Sequence, residues 1–356
     1  MRSHLFALTC AVALLGVALP LVWFATASQA RTSIIAAPQE NGDGPEGYKV
    51  SGPYTHKNLT VFLLHGKEKV APGTKTFMTL SEALTTKKVV VYETKSVNEL
   101  AIENVSDEEV FVQSGDIVKG GQQDRMIGVD LIVPARSGKI KIAAFCVEQG
   151  RWTKRGSEDS TKFTSSTDRA ATRELKLAAN KSRSQGEVWA KVAKAQSKLG
   201  ANVGGSVAAP ASASSLQLSL ENEKVRATTE EYVKALASII EKRPDAVGYA
   251  FSINGKLNSA DVYASPALFR KLWPGLLKSS AVEAVAELDG KPHDATRAEE
   301  VRAFITESES GAATEREVTT RVRMTTRETK TNILFETRDH HPRRKGGWVH
   351  KSYVKK

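Results

Sequence analysis

The first half of the chain alternates short apolar runs with polar turns, a pattern typical of β-strands. Val110 and Val112 share one face of such a run, because successive strand residues point to opposite sides of a sheet. A short helix is predicted at residues 79–86. The predicted strands are residues 59–64, 89–93, 100–103, 110–113, 126–133 and 140–147. Residues 58–152 are therefore expected to form a β-rich sandwich or open barrel.

The second half of the chain, residues 165–354, carries longer segments with helical periodicity. Apolar residues recur at helical spacing in the later part of residues 167–199, which predicts a helical stretch with a break near Gly186. Residues 200–215 consist almost entirely of Gly, Ala, Ser and Val, and this composition predicts a flexible loop.

Turn and capping signals divide the remainder of the chain into helices and hairpins. Asn254-Gly255 lies between two apolar runs and predicts a type I′ hairpin over residues 246–263, since that turn needs two positive φ angles. Helix starts are predicted at a capping box in residues 228–231, at Ser265-Pro266 with an interruption at Trp273-Pro274, and at Thr296. Strands are predicted at residues 318–324, 333–337 and 348–354. The pattern favours an α+β fold, with residues 53–354 in one continuous domain.

The first thirty residues are predicted to be a targeting segment rather than part of the fold. Residues 5–27 carry no charge, and residues 25–30 contain the small side chains that a signal peptidase site requires. As a helix the uncharged run would span roughly 35 Å at about 1.5 Å per residue, enough to cross a bilayer core of about 30 Å. A cleaved signal peptide and a retained membrane anchor are both open alternatives. Either predicts an exported protein, and the Gly-, Pro- and acid-rich residues 31–52 are interpreted as a linker.

The chain is basic, with 51 Lys and Arg residues against 40 acidic ones and a formal net charge of +11. Much of the excess lies in residues 338–356, where basic side chains alternate with histidine and aromatic ones. Such a strip can hold nucleic acid or anionic lipid, or it can be the solvated edge of a sheet. Export argues against a nucleic-acid partner. A membrane partner is expected only if the N-terminal segment stays uncleaved.

Cysteine and histidine positions predict neither a disulfide nor a metal site. Cys146 is the only cysteine outside the targeting segment, so no internal disulfide is expected. It lies in an apolar run without a histidine near it in sequence, and is interpreted as a core residue rather than a nucleophile. His340 and His341 are adjacent and cannot both face one site from a strand. No cofactor motif is recognisable.

Two segments, residues 114–125 and 145–152, hold the richest candidate chemistry. Glycines lie there among acids, bases and glutamines, and glycine lets a backbone approach a ligand closely or adopt positive φ. Backbone N–H groups beside lysine and arginine can form a nest for an anion. The candidate ligand-binding residues are Lys119, Gly120, Gly121, Gln122, Arg125, Arg151 and Trp152. The alternative is a glycine-bearing turn in which Asp116 and Arg125 pair with each other.

Carboxylates in the same segments are candidates for catalysis. Glu148 with Asp116 or Asp124 could act as an acid and base pair on a ligand held at this rim. The alternative is a set of structural ion pairs with Trp152 as a lid over the core.

The motif segments resemble the ADP-ribosylglycohydrolase- and rhodanese-phosphatase-associated protein domain family. The similar segments are Gly115-Asp116, Gly120-Gly121-Gln122 with Arg125, residues 146–152 and residues 185–189. Residues 247–255 with Ala260-Asp261, and residues 347–353, are similar to the closing elements of that family. The resemblance extends from about Pro53 to Tyr353. It implies a domain linked by association to NAD and ADP-ribose metabolism, without an established activity or settled catalytic residues.

Functions from different classes follow as expectations. The first is an extracytoplasmic module that binds an anionic, nucleotide- or sugar-phosphate-like ligand at the rim of Lys119, Arg125, Arg151 and Trp152. The second is a hydrolase that uses the carboxylate pair on an ADP-ribose-like or glycosidic substrate. A third is an exported structural protein without a small-molecule site. Binding is favoured because no set of nucleophile, base and metal ligands is complete.

Overall fold

Three sheets and the helices that pack on them make up the part of the chain that the computed structural model describes, residues 33–34, 48–66, 76–169, 172–341 and 347–356. The strands are β1 (Ser33–Ile34), β2 (Lys49–His56), β3 (Leu59–His65), β4 (Met78–Thr79), β5 (Val89–Ser96), β6 (Glu99–Asn104), β7 (Val110–Val112), β8 (Asp116–Gly120), β9 (Arg125–Ile127), β10 (Leu131–Val133), β11 (Gly138–Cys146), β12 (Phe163–Arg169), β13 (Ala246–Ile253), β14 (Lys256–Tyr263), β15 (Ala312–Glu317), β16 (Val322–Glu328), β17 (Asn332–Asp339) and β18 (Gly347–Lys355). The α-helices are α1 (Leu80–Thr85), α2 (Arg173–Leu177), α3 (Gln185–Val203), α4 (Leu216–Leu220), α5 (Glu223–Leu236), α6 (Pro266–Ala286) and α7 (Ala298–Glu309). A π-helix spans Ala178–Ser182 and a 3-10 helix spans Ala237–Ile240. The fold belongs to the α+β class that the sequence predicts.

The largest sheet has nine strands in the order β1-β15-β16-β17-β18-β14-β13-β3-β2. It joins strands from both halves of the chain, because β3 pairs with β13 of the central hairpin. All seven residues of β3 are buried, which explains why this run is apolar at nearly every position. The β-rich first half and the later hairpins therefore share a sheet.

A six-stranded sheet in the order β12-β8-β9-β11-β6-β5 curls into a partly closed barrel. Its two outer strands lie close to each other. The amide of Glu93 in β5 donates to the carbonyl of Thr161, shortly before β12, at 2.9 Å. Apolar side chains inside the curl pack with those of a three-stranded sheet, β10-β7-β4, in one core. This region is the open barrel predicted for the first half.

Helices cover both faces of the nine-stranded sheet. Leu63 of β3 points into a core formed with α3, α5 and α6, whereas its neighbour Leu64 points into a second core under α7. This alternation follows from strand geometry. The sheet is therefore a central layer between these two cores.

Three local predictions are confirmed. The short helix predicted at residues 79–86 is α1, and a reciprocal capping box of Thr79 and Glu82, which the sequence analysis does not predict, starts it. Asn254 and Gly255 have φ angles of 51° and 69°, as a type I′ turn requires. Ser265 caps α6 through the amide of Leu268, as predicted.

The single strand predicted at residues 126–133 is wrong, because β9 and β10 belong to different sheets. The chain leaves the six-stranded sheet after Gly128, and the side chain of Asp130 turns into the interior. It accepts hydrogen bonds from the Ser114 amide at 2.8 Å and from Thr337 Oγ1 at 2.7 Å. These partners fix the break, since a buried carboxylate without them would be costly.

Several predicted helix boundaries are also wrong. Residues 228–231 lie inside α5, whose N-cap is Asn222, and Thr228 donates to the carbonyl of Lys224 at 2.8 Å as a helix-interior threonine does. Pro274 does not interrupt α6, which continues to Ala286. The helix is held by packing: the neighbouring Trp273 is buried and its Nε1 donates to Ala237 at 2.9 Å.

The helical stretch predicted from residue 167 begins later and breaks earlier than expected. Residues 167–169 are the end of β12, and the break falls at Arg183, which adopts a left-handed conformation, rather than at Gly186. The first four residues of the loop predicted at 200–215 belong to α3, which ends at Val203 and has Gly204 as its C-cap. Helix α4, strand β15 and strand β12 are not predicted at all, and the N-cap of α7 is Arg297 rather than Thr296.

Most predictions for the N-terminal segment lie outside the described residues. This holds for the targeting segment, residues 1–30, and for much of the linker predicted at 31–52. Residues 49–52 of that linker are instead the start of β2, which pairs with β3. In the described part of the chain, no helix is long and apolar enough to cross a membrane.

Candidate functional site

The ends of β9 and β11 bring the two motif segments together. Arg125 lies opposite Cys146 in this strand pair. The amide of Asp124 donates to Glu148 Oε2 at 3.1 Å, and Arg151 Nη1 lies 3.4 Å from the carbonyl oxygen of Gly121. The segments form one group of charged side chains, which we name the arginine cluster: Glu93, Asp124, Arg125, Glu148, Arg151 and Arg155.

Each guanidinium of the arginine cluster is held by a carboxylate of the chain itself. Arg151 donates to the two oxygens of Glu148 from Nε and Nη2, both at 2.7 Å. Arg155 donates to the two oxygens of Asp124 at 2.8 and 3.1 Å. Such forks are the geometry in which arginine binds a carboxylate most strongly. The guanidiniums that were expected to bind an anion are therefore already bound to carboxylates of the chain.

Arg125 has the same kind of partner and is fully buried. Its Nη2 lies 3.3 Å from both oxygens of Glu93. The indole of Trp152, 42% exposed, covers the guanidinium at 5.4 Å from the ring centroid. An aromatic face over a cation is itself stabilising. Trp152 therefore acts as a lid on this ion pair.

The glycines of the first segment have packing roles in this structure. Gly121 has a φ of 56°, and the ring of Phe163 lies 2.3 Å from where a Cβ atom would be. The amide of Gly120 donates to Asp124 Oδ1 at 3.0 Å. Because Gly121 has no side chain, the ring of Phe163 can pack directly against its backbone, in the place that the sequence analysis gave to a ligand.

The two remaining polar candidates of this rim, Lys119 and Gln122, also contact carboxylates of the chain, although the side-chain oxygen of Gln122 is buried without a hydrogen-bond partner among the described residues. Lys119 Nζ donates to Glu221 Oε1 at 2.7 Å. The amide of Gln122 donates to Glu93 Oε2 at 3.3 Å.

The candidate catalytic carboxylates are divided between two places. Asp124 and Glu148 lie together in the arginine cluster, and neither is exposed. Burial would raise the pKa of Glu148, but hydrogen bonds, above all from Arg151, hold it below its usual value. Asp116 lies elsewhere, paired with Arg169. A substrate would have to displace a guanidinium to reach either buried carboxylate.

Cys146 is a core residue. It is fully buried, and burial raises the pKa of its thiol to about 11 although Arg125 is close. Gln185 brackets its backbone, donating to the carbonyl and accepting from the amide, each at 2.8 Å. A protonated, enclosed thiol is unsuited to nucleophilic attack.

A second group of buried charges, which we name the histidine cluster, joins β14, β18 and the segment before β10. His350 Nδ1 is 2.6 Å from Asp130 Oδ2, and its Nε2 is 3.3 Å from Asp261 Oδ1. Lys176 Nζ donates to Asp261 Oδ2 at 2.9 Å. The ring of Tyr263 stacks on the imidazole at a centroid distance of 4.6 Å. The cluster is Asp130, Lys176, Asp261 and His350.

The charges of the histidine cluster stabilise one another. Burial alone would lower the pKa of His350, but the carboxylates of Asp130 and Asp261 outweigh it and raise that pKa to about 9. Burial would likewise raise the pKa values of both aspartates, but Lys176 and His350 hold the pKa of Asp261 far below its usual value. His350 also lowers the pKa of Asp130. The imidazole is therefore a cation at neutral pH.

A small polar cavity of about 20 Å³ adjoins the histidine cluster. Its volume suits one water molecule rather than an organic ligand. Lys176, Asn180 and Ser114 contribute polar groups to its wall. Asn180 belongs to the π-helix, and such helices occur often at functional sites.

Sequence reasoning did not assign Asp130, Lys176, Asp261 or His350 to a site. Asp261 and His350 lie within segments that carry the family resemblance, and the structure brings them together. The signal that could have identified them is a charged residue at a strand position whose side chain points into the interior. Because a buried charge requires a partner, one such residue implies that another lies next to it in the fold. Within the described ranges, no group of His, Cys, Asp and Glu side chains could hold a metal ion.

A third place, which we name the basic groove, has about 510 Å³ of space between α7 and the ends of β14 and β18. Its charged lining residues are Arg173, Lys256, Lys355, Glu300 and Glu307. Arg173 and Lys256 form no side-chain ion pair with any described residue. Leu257, Ala303 and Phe304 supply an apolar part of the wall. The volume lies within the usual range of about 300–1,000 Å³ for ligand pockets.

Comparison with known proteins identifies the family. The chain belongs to the ARG and Rhodanese-Phosphatase-superfamily-associated Protein domain family, whose model matches residues 47–354. This confirms the resemblance inferred from the motif segments. No curated protein and no solved structure matches the chain. The arginine cluster and the histidine cluster both lie within the matched residues.

Proposed function

We propose that this member of the family is a binding module for an anionic ligand of nucleotide or sugar-phosphate size, held in the basic groove. The observation that carries the proposal is a ligand-sized groove lined by two cations, Arg173 and Lys256, that form no direct side-chain ion pair with a described residue. The charge of Arg173 also acts on the buried carboxylate of Glu283, whose oxygens accept from the Arg173 backbone amide at 3.1 and 3.2 Å. A cation whose donors have no direct carboxylate contact is available to a phosphate group.

The ligand class is the one expected from the sequence, but the proposed site is the basic groove instead of the rim formed by the two motif segments. In the arginine cluster an anion would compete with Glu93, Asp124 and Glu148, which already hold the guanidiniums. In the basic groove Glu300 accepts from Arg297 and Glu307 from Thr331, and the charge of Lys355 also lowers the pKa of Glu307. Arg173 and Lys256 therefore keep their side-chain donors for a ligand.

The wall of the groove supports a ligand with an apolar part as well as a charge. Leu257 and Ala303 offer contact surface for a sugar or base, beside the cations. Lys355 Nζ lies 5.8 Å from the centroid of the Phe304 ring, which places a third positive charge at the same wall. Most ligand pockets combine apolar lining with a few polar groups in this way.

We propose binding rather than hydrolysis. The hydrolase alternative requires an accessible carboxylate pair, and Asp124 and Glu148 have no exposure. In the histidine cluster, Asp130 lines a cavity of only about 20 Å³, and Asp261 is fully buried. A reaction at either place needs an opening movement that nothing else in the geometry supports.

We expect nucleotides, ADP-ribose or sugar phosphates to raise the melting temperature of the purified chain in a thermal-shift screen. A ligand at about a hundred times its Kd stabilises by about 2.7 kcal/mol. Arg173→Gln and Lys256→Gln should each weaken the affinity by about 1.5–3 kcal/mol, the scale of a lost charge-assisted hydrogen bond. Isothermal titration calorimetry with the best probe measures this loss.

Lys234→Gln is the matched control, since it removes the same charge from an exposed position on α5. It should leave the affinity unchanged. The proposal fails if no probe gives a saturable shift, or if the control weakens binding as much as Lys256→Gln does.

We further propose that the protein acts outside the cytoplasm, on the basis of its uncharged N-terminal segment. Alkaline phosphatase fused to the C-terminus should be active, because that reporter needs disulfides that form outside the cytoplasm. An inactive, stably expressed fusion would contradict export. The mass of the purified chain separates a cleaved signal peptide from a retained anchor.

A further inference from the structure

Three polar side chains meet near the β2 edge of the nine-stranded sheet. Ser51 Oγ is 2.7 Å from His65 Nε2, one of the two ring nitrogens. The other, Nδ1, is 3.1 Å from Asp245 Oδ2. A hydroxyl, an imidazole and a carboxylate in this order form the arrangement that activates a serine as a nucleophile. We name these three residues the serine triad.

Strand pairing fixes the arrangement of the serine triad. Ser51 of β2 and His65 of β3 are diagonal neighbours on the same face of the sheet. On its other side His65 pairs with Ala246, the first residue of β13, which places Asp245 next to the ring. The amide of Gly66 donates to the carbonyl of Asp245 at 3.1 Å and holds this strand start in place. Three neighbouring strands therefore bring the three groups together.

The contact between His65 and Asp245 is close, but it is not an aligned hydrogen bond. Nδ1 is buried and has no hydrogen-bond partner among the described residues. The side chain of Asp245 is 56% exposed, so a small rotation can direct an oxygen at Nδ1. Catalytic hydrogen bonds are often poorly aligned until a substrate is bound. Burial would raise the pKa of Asp245, but its contact with His65 lowers that pKa below the usual value, so the group is a carboxylate at neutral pH.

Ser51 can meet a substrate, unlike the carboxylates of the arginine cluster. It lies on the last strand of the nine-stranded sheet and is partly exposed, and Gly52 and Pro53 after it are exposed. His65 is only 6% exposed. The hydroxyl therefore reaches solvent while most of the imidazole stays enclosed.

Tyr54 lies beside the hydroxyl of Ser51. Its own hydroxyl donates towards Ser51 Oγ at 3.4 Å. The guanidinium of Arg243 covers the Tyr54 ring at 5.1 Å from the centroid, which helps to hold the ring in place. A tyrosine hydroxyl next to a nucleophile can donate to the oxyanion that forms when a carbonyl carbon is attacked.

We propose that the serine triad hydrolyses carboxylic esters. Ser51 Oγ attacks the carbonyl carbon and its proton passes to His65 Nε2, which gives a tetrahedral intermediate. The bond to the leaving alcohol then breaks, and the alcohol takes the proton from Nε2. Water adds to the acyl-serine in the same way and gives its proton to Nε2. When the bond between carbon and Oγ breaks, the acid leaves and Ser51 recovers the proton.

Asp245 is a positioning residue in this reaction. Its carboxylate orients the ring so that Nε2 faces Ser51, and it balances the charge of the imidazolium that forms. The site shares no residue with the basic groove, the arginine cluster or the histidine cluster. The hydrolysis does not use the carboxylate pairs considered above, and it does not depend on the binding proposed for the basic groove.

The test treats the full-length protein with a fluorophosphonate probe, which reacts with activated serines and leaves ordinary ones unmodified. Mass spectrometry of the digested protein should find the label on Ser51. The protein should also hydrolyse p-nitrophenyl acetate, and Ser51→Ala should lower kcat/KM about a hundredfold or more. Ser81→Ala is the matched control, because the exposed Ser81 hydroxyl lies 3.0 Å from the hydroxyl of Ser165 instead of an imidazole.

The roles of His65 and Asp245 are measured on the labelling rate of Ser51. His65→Ala should lower this rate about a hundredfold or more, and free imidazole should restore part of it by accepting the proton in the space that the ring leaves. Loss of a purely structural histidine would not be rescued in this way. Asp245→Asn should lower the rate about tenfold or more, while Asp245→Glu, which keeps the charge, should retain more of it. Because Asp245 is exposed, these two variants test the triad even if His65→Ala does not fold.

Lys256→Gln should leave the labelling unchanged, since it alters only the basic groove. The proposal is overturned if the probe labels no residue, or labels a serine other than Ser51. It is equally overturned if Ser51→Ala hydrolyses the ester as fast as Ser81→Ala, or if Asp245→Asn is labelled at the wild-type rate.

Discussion

Replacing His350 by glutamine is expected to lower the free energy of unfolding by about 3–5 kcal/mol, the usual cost of removing one partner from a buried ion pair. Glutamine keeps hydrogen-bonding capacity but carries no charge. The variant leaves the carboxylates of Asp130 and Asp261 in the interior, with Lys176 as the remaining cation of the cluster. Denaturant unfolding followed by tryptophan fluorescence measures the loss.

The loss should depend on pH in a direction that the pKa of His350 determines. The pKa rises from 6.5 to about 9 on folding. Because the folded state holds the proton more tightly, the stabilisation is complete below pH 6.5 and is lost as the pH rises through about 9. At about 1.4 kcal/mol per unit, the shift corresponds to roughly 3 kcal/mol. The difference between wild type and His350→Gln should therefore shrink towards alkaline pH.

His293→Gln is the matched control for this effect. His293 pairs with Asp289 at 2.9 Å, but both side chains are partly exposed. Its replacement should leave the stability close to that of the wild type, since exposed pairs contribute little. An equal loss for His350→Gln at pH 6 and at alkaline pH would show that packing, and not charge, makes His350 important.

The predictable features of the fold are those whose cause lies within a few residues. The Ser265 cap of α6 and the Asn254-Gly255 turn are set by neighbouring chemistry, and both predictions are confirmed. The separation of β9 from β10 is different. It depends on Asp130, whose partners Thr337 and His350 are 207 and 220 residues away in sequence. No local pattern contains that information.

The candidate site shows the same division. That the two glycine-marked segments meet could be predicted, because both lie at strand ends around one apolar run. The partners of Arg125 and Asp124 could not, since Glu93 and Arg155 lie outside the segments, whereas Glu148, the partner of Arg151, lies within the second one. The histidine cluster was missed because Asp261 and His350 belong to strands that look like core. Charged residues on such strands are informative only when they are considered together.

Arg151→Ala and Arg125→Ala are each expected to lower the free energy of unfolding by about 3–5 kcal/mol, because each removes the main cationic partner of a buried carboxylate. The carboxylates concerned are Glu148, which has no exposure, and Glu93, whose side chain is 3% exposed. The expectation follows from the forks in the arginine cluster. If these arginines instead served mainly to hold an anionic ligand, stability would fall much less and affinity would fall by about 1.5–3 kcal/mol.

Arg136→Ala is the matched control, because Arg136 forms a fork of the same geometry with Asp107, at 2.9 and 3.0 Å, on the surface. Its loss should have little effect on stability, since water replaces the partner of an exposed charge. If Arg136→Ala and Arg151→Ala lowered the free energy of unfolding equally, burial of the carboxylate would not be the cause of the loss.

A second substitution tests the mechanism directly. Adding Glu148→Gln to Arg151→Ala removes the charge that has lost its main partner and keeps only Arg155 at 3.8 Å, so the double variant should recover part of the lost stability. Additive losses would mean that Arg151 contributes packing rather than charge balance. Measuring ligand affinity on the same variants completes the comparison. A large loss of stability with unchanged affinity assigns the arginine cluster to the structure, while a selective loss of affinity returns the anion site to this rim.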